Sequence, residues 1–273
     1  MSAESHYVRV ALVTGAGRPR GIGAATAIRL ARDGYAVTLT DQILDGDAGL
    51  EVRSGLQSIA DQIRQAGGRV LVKPLDVTDP SRIDEVVQAT VDSFGALSVV
   101  VNNAGTGIGV GPFGDIDDAR WELSWQVNVM GAVRVARAAL PHLMGGGSIV
   151  NVASTAGIAA EAGYGAYTVT KHAVVGLTRL LATELGQCGI RVNAIAPGMI
   201  HTDLGAAELA LIAYSSGTSI DDAAQMVADG IPLGRLGAAV DVAEAVAWLA
   251  GPASGFVSGA ILPVHGAAAS GLS

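Results

Sequence analysis

A tyrosine, a lysine and a serine stand at spacings that suit proton transfer to and from an oxygen atom. Tyr167 and Lys171 are four residues apart in a stretch with helical spacing (166–185), so their side chains share one helix face. A tyrosine in water has a pKa of about 10, and a neighbouring ammonium group favours the phenolate and lowers that pKa. Ser154 follows an apolar run, where its hydroxyl can hold a substrate oxygen beside the tyrosine. Each residue alone is typical of a helix surface or a turn, so the prediction depends on the set.

A glycine-rich segment near the N-terminus has the spacing of a phosphate-binding turn. It runs from Thr14 to Gly23, between a β-branched run and a helical stretch. Glycine permits a tight turn and a close approach of the backbone to a pyrophosphate, which then lies at the N-terminus of the next helix. The segment therefore predicts a dinucleotide site.

An acidic residue predicts which dinucleotide is bound. Asp41 lies eighteen residues after Gly23, at the end of the next predicted strand and near the distance expected of such a site. A carboxylate there accepts hydrogen bonds from both adenosine ribose hydroxyls and repels a 2′-phosphate, which favours NAD over NADP. Two other readings stay open: Asp41 simply ends a strand, or Arg18 and Arg20 attract a 2′-phosphate.

The elements that position these residues alternate along the whole chain. Short β-branched runs, apolar on both faces, predict parallel strands that helices cover on each side. The predicted strands are Val8–Val13, Ala36–Thr40, Arg69–Leu75, Leu97–Val101, Ser148–Val152, Ile190–Ile195 and Ala260–Val264. The stretches between them have helical spacing, and Gly145–Gly147 is expected to stop a helix before the fifth strand. The pattern predicts one doubly wound α/β domain over residues 1–273.

Composition excludes several other classes of protein. The chain has 273 residues, of which 50% are hydrophobic, 4% are aromatic and 37 are glycine, yet its apolar runs are too short to span a bilayer. A net charge of −8 argues against nucleic acid and anionic membranes as partners. One cysteine, Cys188, and a polar N-terminus favour a reducing, cytoplasmic location. The five histidines lack ligand spacing, so no metal site is predicted.

Taken together, these segments resemble the short-chain dehydrogenase/reductase family from Ala11 to about Gly266. The matching stretches are the glycine loop (14–23), Asp76-Val77-Thr78, Asn102-Asn103-Ala104-Gly105, Asn128, Ser154, Tyr167-x-x-x-Lys171, and Pro197-Gly198 followed by Thr202. The resemblance implies a Rossmann-type, mostly parallel sheet of seven strands. It also implies a homotetramer assembled through the helices that carry Asn128 and Tyr167.

The resemblance also assigns roles to individual residues. It implies that Tyr167 is the general acid/base, that Ser154 polarises the substrate oxygen, and that Lys171 lowers the tyrosine pKa and bonds the nicotinamide ribose. Asn128 would hold a water molecule in a proton relay. Asp76 and Val77 would meet the adenine, Asn103, Ala104 and Gly105 would pack beside the cofactor, and Ile200 and Thr202 would hold the carboxamide. The residues predicted to contact the cofactor are Gly15, Gly17, Arg20, Gly21, Ile22, Gly23, Asp41, Asp76, Val77, Asn103, Ala104, Gly105, Tyr167, Lys171, Pro197, Gly198, Ile200 and Thr202.

The sequence departs from the family pattern at three places. Five residues separate Gly15 from Gly21 where the family usually has three, which predicts a longer loop near the adenosine phosphate. His265-Gly266 stands where Asp-Gly is common. Related ketoacyl-carrier-protein reductases dock an acidic carrier through two arginines, and Arg134 matches one of them while Cys188 replaces the other.

The sequence thus predicts an NAD-dependent oxidoreductase that interconverts a secondary alcohol and its ketone. One alternative is an NADPH-dependent 3-oxoacyl-thioester (carrier protein) reductase, and another is a dinucleotide-binding sensor or scaffold without activity. Residues 157–163 and a substrate-covering segment at about 199–236 are expected to line the pocket, with Tyr164 near the substrate and an apolar lid at Glu208–Tyr214. No arginine precedes Arg235 in these segments, so the expected substrate is a small, uncharged, moderately apolar alcohol or ketone.

Overall fold

A seven-stranded sheet forms the centre of the described part of the chain, which comprises residues 8–43, 45–160 and 162–268 of a computed structural model. The strand order is β3-β2-β1-β4-β5-β6-β7, and every adjacent pair is parallel. The strands are β1 (Val10–Val13), β2 (Ala36–Asp41), β3 (Val70–Pro74), β4 (Leu97–Asn102), β5 (Leu143–Val152), β6 (Arg191–Pro197) and β7 (Ile261–Val264). The predicted parallel α/β sheet of Rossmann type is confirmed. Positions 1–7, 44, 161 and 269–273 of the predicted domain lie outside the described residues.

Helices follow the strands and cover both faces of the sheet. They are α1 (Ile22–Arg32), α2 (Gly46–Gln65), α3 (Pro80–Phe94), α4 (Asp118–Trp125), α5 (Gly131–Ala139), α6 (Gly165–Leu185), α7 (Asp203–Ser216), α8 (Ile220–Asp229) and α9 (Ala239–Ala250). Short 3-10 helices occupy Phe113–Asp115, Leu140–His142, Thr155–Gly157, Gly186–Cys188 and Pro252–Ser254. None of the helices in the described ranges is long and apolar enough to cross a membrane.

The hydrophobic core lies in two layers, one on each side of the sheet. Helices α1, α2 and α9 pack on one face, where Leu30, Ile59 and Leu249 are fully buried. Helices α3, α5 and part of α6 pack on the other face, around Ile83 and Val135. Because both faces are covered, the central strands are mostly apolar, and all four residues of β1 are apolar and buried.

Strand order places a crevice between β1 and β4. The chain runs outward from β1 through β2 and β3, then returns to β4 on the other side of β1 and continues outward to β7. Helices therefore leave the two strands in opposite directions, and their carboxyl ends are left open. In open α/β sheets such a switch point is where ligands bind.

The fifth strand begins earlier than its sequence predicts. The glycines at 145–147 were expected to end a helix, but β5 already starts at Leu143, so they lie within the strand. Leu97 pairs with Leu143 and Val99 pairs with Ser148, so the register shifts across these glycines. Small residues tolerate that irregularity because they carry no bulky side chain to repack. The expected helix stop is therefore wrong, although the buried end of the strand is where it was predicted.

A π-helical turn separates α4 from α5. It spans Gln126–Met130 and contains the buried residue Asn128. Turns of this kind are rare and often mark functional sites, because the extra residue redirects side chains and leaves the regular hydrogen-bond ladder interrupted. Nothing in the apolar periodicity of the sequence predicts this turn.

Candidate active site

The glycine loop connects β1 to α1 and packs closely on the loop after β4. Gly15 has φ +68°, and a Cβ there would lie 2.7 Å from the Cα of Ala104. A Cβ on Gly23 would lie 2.4 Å from the carbonyl oxygen of Gly15. The side-chain amide of Asn103 donates to the carbonyl oxygens of Thr14 at 2.9 Å and Gly15 at 2.7 Å. These glycines are therefore required by close backbone packing at the switch point.

The N-terminus of α1 suits a bound anion. Its N-cap is Gly21, no side chain caps the first turn, and no acidic residue lies in that turn. The N–H groups of the first turn and the helix dipole consequently favour a negative charge. A dinucleotide pyrophosphate would fit this position, because the first turn offers unpaired N–H groups and carries no acidic side chain.

Asp41 ends β2 beside the glycine loop. One carboxylate oxygen accepts from the backbone N–H of Gly17 at 2.7 Å, and the other accepts from the N–H of Gln42 at 2.7 Å. Burial raises the pKa of Asp41, while these two hydrogen bonds and the nearby charge of Arg18 act in the opposite direction. Gln42 in turn donates to Asp76 at 2.7 Å, so the acidic residues expected at the adenosine end lie close together.

Helix α6 carries Tyr167 and Lys171 on the face that looks into the crevice. The ammonium nitrogen of Lys171 donates to the carbonyl oxygen of Val152 at 2.9 Å and lies 5.5 Å from the centre of the Tyr167 ring. Ser154 follows β5, and its hydroxyl accepts from the N–H of Ala156 at 3.1 Å while it also hydrogen-bonds Tyr167. The serine therefore both caps a short turn and belongs to the polar cluster.

Burial dominates the titration of this cluster. It raises the pKa of Tyr167 to about 12; the hydrogen bond with Ser154 lowers it, and the charge of Glu208 raises it further. Burial also lowers the pKa of Lys171 to about 8. The lowering of the tyrosine pKa by Lys171 stays a prediction; in the protein by itself, burial of the phenol is the largest effect on that pKa.

Asn128 is buried next to α6, and both its amide nitrogen and its amide oxygen form hydrogen bonds within the protein. Its amide nitrogen donates to the carbonyl oxygen of Thr106 at 3.0 Å and to the hydroxyl of Thr170 at 3.1 Å. Its amide oxygen accepts from the N–H of Thr106 at 2.8 Å. The side chain thus fixes the loop after β4 against α6, one residue before Lys171.

One cavity of about 930 Å³ joins these groups at the carboxyl edge of the sheet. Its lining includes Ser154, Tyr167 and Lys171 together with these residues predicted for the cofactor: Gly15, Gly21, Ile22, Asp41, Asp76, Val77, Asn103, Ala104, Gly105, Pro197, Gly198, Ile200 and Thr202. Gly17, Gly23, Arg20 and Asn128 are outside the lining. Arg20 instead forms an ion pair at 2.5 Å with Asp203 at the start of α7, and Arg18 lines the cavity.

Helices α7 and α8 of the predicted substrate-covering segment contribute residues to the lining of the cavity. Their lining side chains are mostly apolar, namely Leu204, Ala207, Leu211, Ile212 and Val227. The sequence interpretation missed Glu208 as a site residue: it also lines the cavity and accepts a short hydrogen bond from the hydroxyl of Tyr164. The two residues are 44 positions apart, so only the packing of α7 over α6 brings them together. In the described ranges, no three His, Cys, Asp or Glu side chains are grouped so as to hold a metal ion.

The parallel sheet, the glycine loop at its switch point and the uncapped helix N-terminus define a Rossmann-type dinucleotide-binding protein. A family model described as enoyl-(acyl carrier protein) reductase matches residues 15–267. Cis-4-hydroxycyclohexanecarboxylate dehydrogenase of Sinomonas cyclohexanicum is 38% identical over 96% of this chain and 97% of its own length. The A-factor type gamma-butyrolactone 1′-reductase (1S-forming) of Streptomyces virginiae is 36% identical over 94% of each chain.

A solved structure agrees with these relatives. An actinorhodin polyketide ketoreductase variant with NADPH has a TM-score of 0.86 and 33% sequence identity, covering 95% of this chain and 96% of its own. The protein belongs to the short-chain dehydrogenase/reductase family. It is accordingly an oxidoreductase of the kind that acts on alcohols and ketones.

Proposed function

We propose that this protein is an NAD-dependent oxidoreductase that interconverts a secondary alcohol and its ketone, with Tyr167 as the general acid/base. The observation that carries the proposal is the shared cavity: Ser154, Tyr167 and Lys171 open into the same space as the glycine loop and Asp41. A proton-transfer group and a dinucleotide cleft that meet in one cavity suit hydride transfer at a carbinol carbon.

In this proposal the residues of the chain position and deprotonate the alcohol. Ser154 holds the substrate oxygen against Tyr167, and the phenolate takes the hydroxyl proton. NAD, when bound, supplies the hydride acceptor and a positive charge beside the phenol. A raised pKa of about 12 means that Tyr167 needs such positive charge, from Lys171 and its surroundings, to ionise near neutral pH. Asn128 would hold a water molecule in the proton relay, and its side chain also fixes the loop at Thr106 against α6.

The preference for NAD depends on Asp41. Its carboxylate stands at the end of β2 and lines the cavity, where the ribose of the adenosine is expected. An NADPH-dependent reductase of 3-oxoacyl thioesters is the second candidate, because Arg18 lines the same part of the cavity and can pair with a 2′-phosphate. The NADPH in the ketoreductase structure is in keeping with that candidate.

The substrate is proposed to be an uncharged and moderately apolar alcohol or ketone. The apolar lining of α7 and α8 supports this class. Two relatives are named for ring compounds, a hydroxycyclohexanecarboxylate and a gamma-butyrolactone, which favours a cyclic substrate, although the first of these carries a carboxylate. Partly exposed apolar residues on α4 and α6, including Leu123, Trp125 and Val169, support assembly into a homotetramer through these helices.

A screen of secondary alcohols and ketones tests the proposal. Oxidation is followed by nicotinamide absorbance with NAD and with NADP, and reduction with NADH and with NADPH. We expect turnover with NAD, and a fall in kcat of about 10²- to 10⁴-fold in Tyr167→Phe, with the dissociation constant of NADH nearly unchanged. Full activity of Tyr167→Phe would refute the role of the tyrosine. Nucleotide binding without turnover of any alcohol would favour a sensor or scaffold, and activity restricted to acyl thioesters with NADPH would favour the second candidate.

A further inference from the structure

The loop after β4 lies across the start of α6, the helix that carries Tyr167. The backbone N–H of Gly111 in this loop donates to the carbonyl oxygen of Gly163 at 2.7 Å. The N–H of Ala166 donates to the carbonyl oxygen of Gly109 at 2.9 Å. No side chain caps the first turn of α6, so this loop carbonyl satisfies one of the N–H groups that a helix N-terminus leaves without an intrahelical partner. The backbone of the loop therefore holds the first turn in place.

Gly165, the first residue of α6, is a point of close approach between this loop and the helix. It has φ +42°, a conformation that favours glycine, and a Cβ there would lie 2.6 Å from the carbonyl oxygen of Gly109 and 2.9 Å from that of Gly111. The Cβ would also meet the side chain of Ile116, which can move, but the two carbonyl oxygens belong to the backbone. A side chain at position 165 therefore requires the loop and the start of α6 to move apart.

Neither the loop nor the helix is free to absorb such a movement away from the site. The loop is bonded at Thr106 to the buried amide of Asn128. The helix is fixed on both sides of Tyr167: Ala166 is fully buried, and the ammonium group of Lys171 donates to a carbonyl oxygen of β5 at 2.9 Å. A displacement at the start of α6 therefore falls on the turn that carries Tyr167.

We propose that Gly165 is a positioning residue for the proposed reaction: it admits the loop backbone at Gly109 to the start of α6 and thereby fixes the hydroxyl of Tyr167 beside Ser154. The inference rests on the proposed function, because it concerns the reach of the same tyrosine. The hydrogen bond between Ser154 and Tyr167 joins the end of β5 to α6, so a shift of the first turn of α6 changes that contact directly. Displacement of a reacting group by about 1 Å can lower a rate by a factor of about 10².

The test compares Gly165→Ala with Gly176→Ala. Both changes add one methyl group to α6, but a Cβ at the exposed position 176 meets nothing within 4 Å outside the adjacent backbone. With a ketone that the wild-type protein reduces, we expect Gly165→Ala to lower kcat by at least about tenfold, with the KM of the ketone and the dissociation constant of NADH changed less than about threefold. Gly176→Ala should keep the wild-type kcat. If Gly165→Ala does not fold, Gly109→Ala takes its place, because its Cβ would lie 2.8 Å from the Cβ of Ala166 at the same contact.

The Tyr167→Phe background separates a general structural role of Gly165 from a role that acts through the tyrosine. If Gly165 positions the hydroxyl, its replacement has little further effect once the hydroxyl is absent. We therefore expect the double variant to keep the residual kcat of Tyr167→Phe within about twofold. An equal loss of kcat in both backgrounds would overturn the proposal, as would a folded Gly165→Ala with the wild-type kcat.

A readout without turnover tests the position of the tyrosine ring itself. In protein labelled with fluorotyrosine, the ¹⁹F resonance of Tyr167 is assigned by its absence from Tyr167→Phe. We expect this resonance to shift in Gly165→Ala and to stay in place in Gly176→Ala. An unshifted resonance in folded Gly165→Ala would overturn the proposal, even in a protein that reduces no ketone. A shifted resonance in a protein without turnover would instead contradict the proposed reaction and leave the positioning by Gly165 supported.

Discussion

Replacing Asp41 with asparagine should move the preference of the enzyme from NAD towards NADP. The carboxylate lies at the end of β2, with one oxygen on the N–H of Gly17 and the other on the N–H of Gln42, both at 2.7 Å. One oxygen thus faces the glycine loop that is proposed to hold the dinucleotide, and the other is bound by the residue that follows Asp41. Asparagine keeps the size of the side chain and removes its charge.

The size of the expected change in nucleotide preference follows from the repulsion between the Asp41 carboxylate and a 2′-phosphate. Two unit charges about 4 Å apart interact by about 1 kcal/mol in water and by about 4 kcal/mol at an effective dielectric constant of about 20, and a phosphate group carries about two charges. Asp41 is partly exposed, so the lower limit of about 2 kcal/mol applies. That free energy corresponds to a factor of about 30 in the ratio of the kcat/KM values for NADP and NAD. Arg18, whose charge already acts on Asp41, should attract the 2′-phosphate once the carboxylate is gone.

The assay is steady-state kinetics with both nucleotides at a fixed alcohol concentration. Asp47→Asn is the matched control, because this exposed residue of α2 gives the same change in net charge away from the loop. Asparagine also exchanges one of the two acceptor oxygens for a donor, so thermal unfolding of both variants is compared. Adding Arg18→Gln to Asp41→Asn should reverse part of the gain with NADP. A ratio that changes less than threefold in the folded variant would refute the reasoning, as would a wild-type protein that already prefers NADP.

Three further predictions concern the stability of the protein at Lys171, nucleotide binding at the glycine loop and the ion pair between that loop and α7. The free energy of unfolding of Lys171→Met should be about 3 kcal/mol higher than that of the wild type at pH 7, because a pKa of about 8 means that the buried ammonium group destabilises the fold below that pH. This difference should close as the pH rises to about 10.5. Urea unfolding that shows an equal difference at pH 7 and pH 10 would contradict the prediction. Gly23→Ala should weaken NADH binding by at least tenfold in a fluorescence titration, because the added Cβ would lie 2.4 Å from the carbonyl oxygen of Gly15. The control is Gly114→Ala, whose added Cβ has no atom within 4 Å, and this variant should bind NADH like the wild type. A double-mutant cycle of Arg20→Gln and Asp203→Asn should give a coupling free energy of unfolding of at most about 1 kcal/mol, because the Arg20 side chain is 69% exposed. This coupling should fall as the salt concentration rises. A coupling above about 2 kcal/mol would contradict the prediction and show that the ion pair holds the glycine loop strongly to α7.

Much of the fold was predictable because its signals are local. Parallel strands buried on both faces need continuous β-branched runs, and each predicted strand contains or overlaps an observed one. The positions where elements begin and end were harder to predict. The fifth strand reaches back to Leu143 because pairing with β4 continues across glycines that would end an isolated element. The π-helical turn at Asn128 depends on contacts with Thr106 and Thr170, and neither contact has a sequence period.

The candidate site likewise combines features that local spacing predicts with features that only the folded chain shows. Ser154, Tyr167 and Lys171 were predicted from their spacing, because a helix determines which residues share a face and ligands bind where parallel strands end; all three line one cavity. Arg20 was assigned to the cofactor from its place in the loop, yet the structure pairs it with Asp203, which is 183 residues away. The spacing of Tyr167 and Lys171 says nothing about burial, and burial raises the pKa of Tyr167.

By itself, the sequence determined the α/β class, the glycine loop and the spacing of the polar residues on α6, since each depends on bonds between residues that are near in the chain. The tertiary structure decided how these parts meet. Packing of α7 over α6 brings Glu208 to Tyr164, and burial between the sheet and the cover raises the pKa of Tyr167 and lowers that of Lys171. Solvation and charge depend on everything that surrounds a group, so these properties follow only from the folded chain.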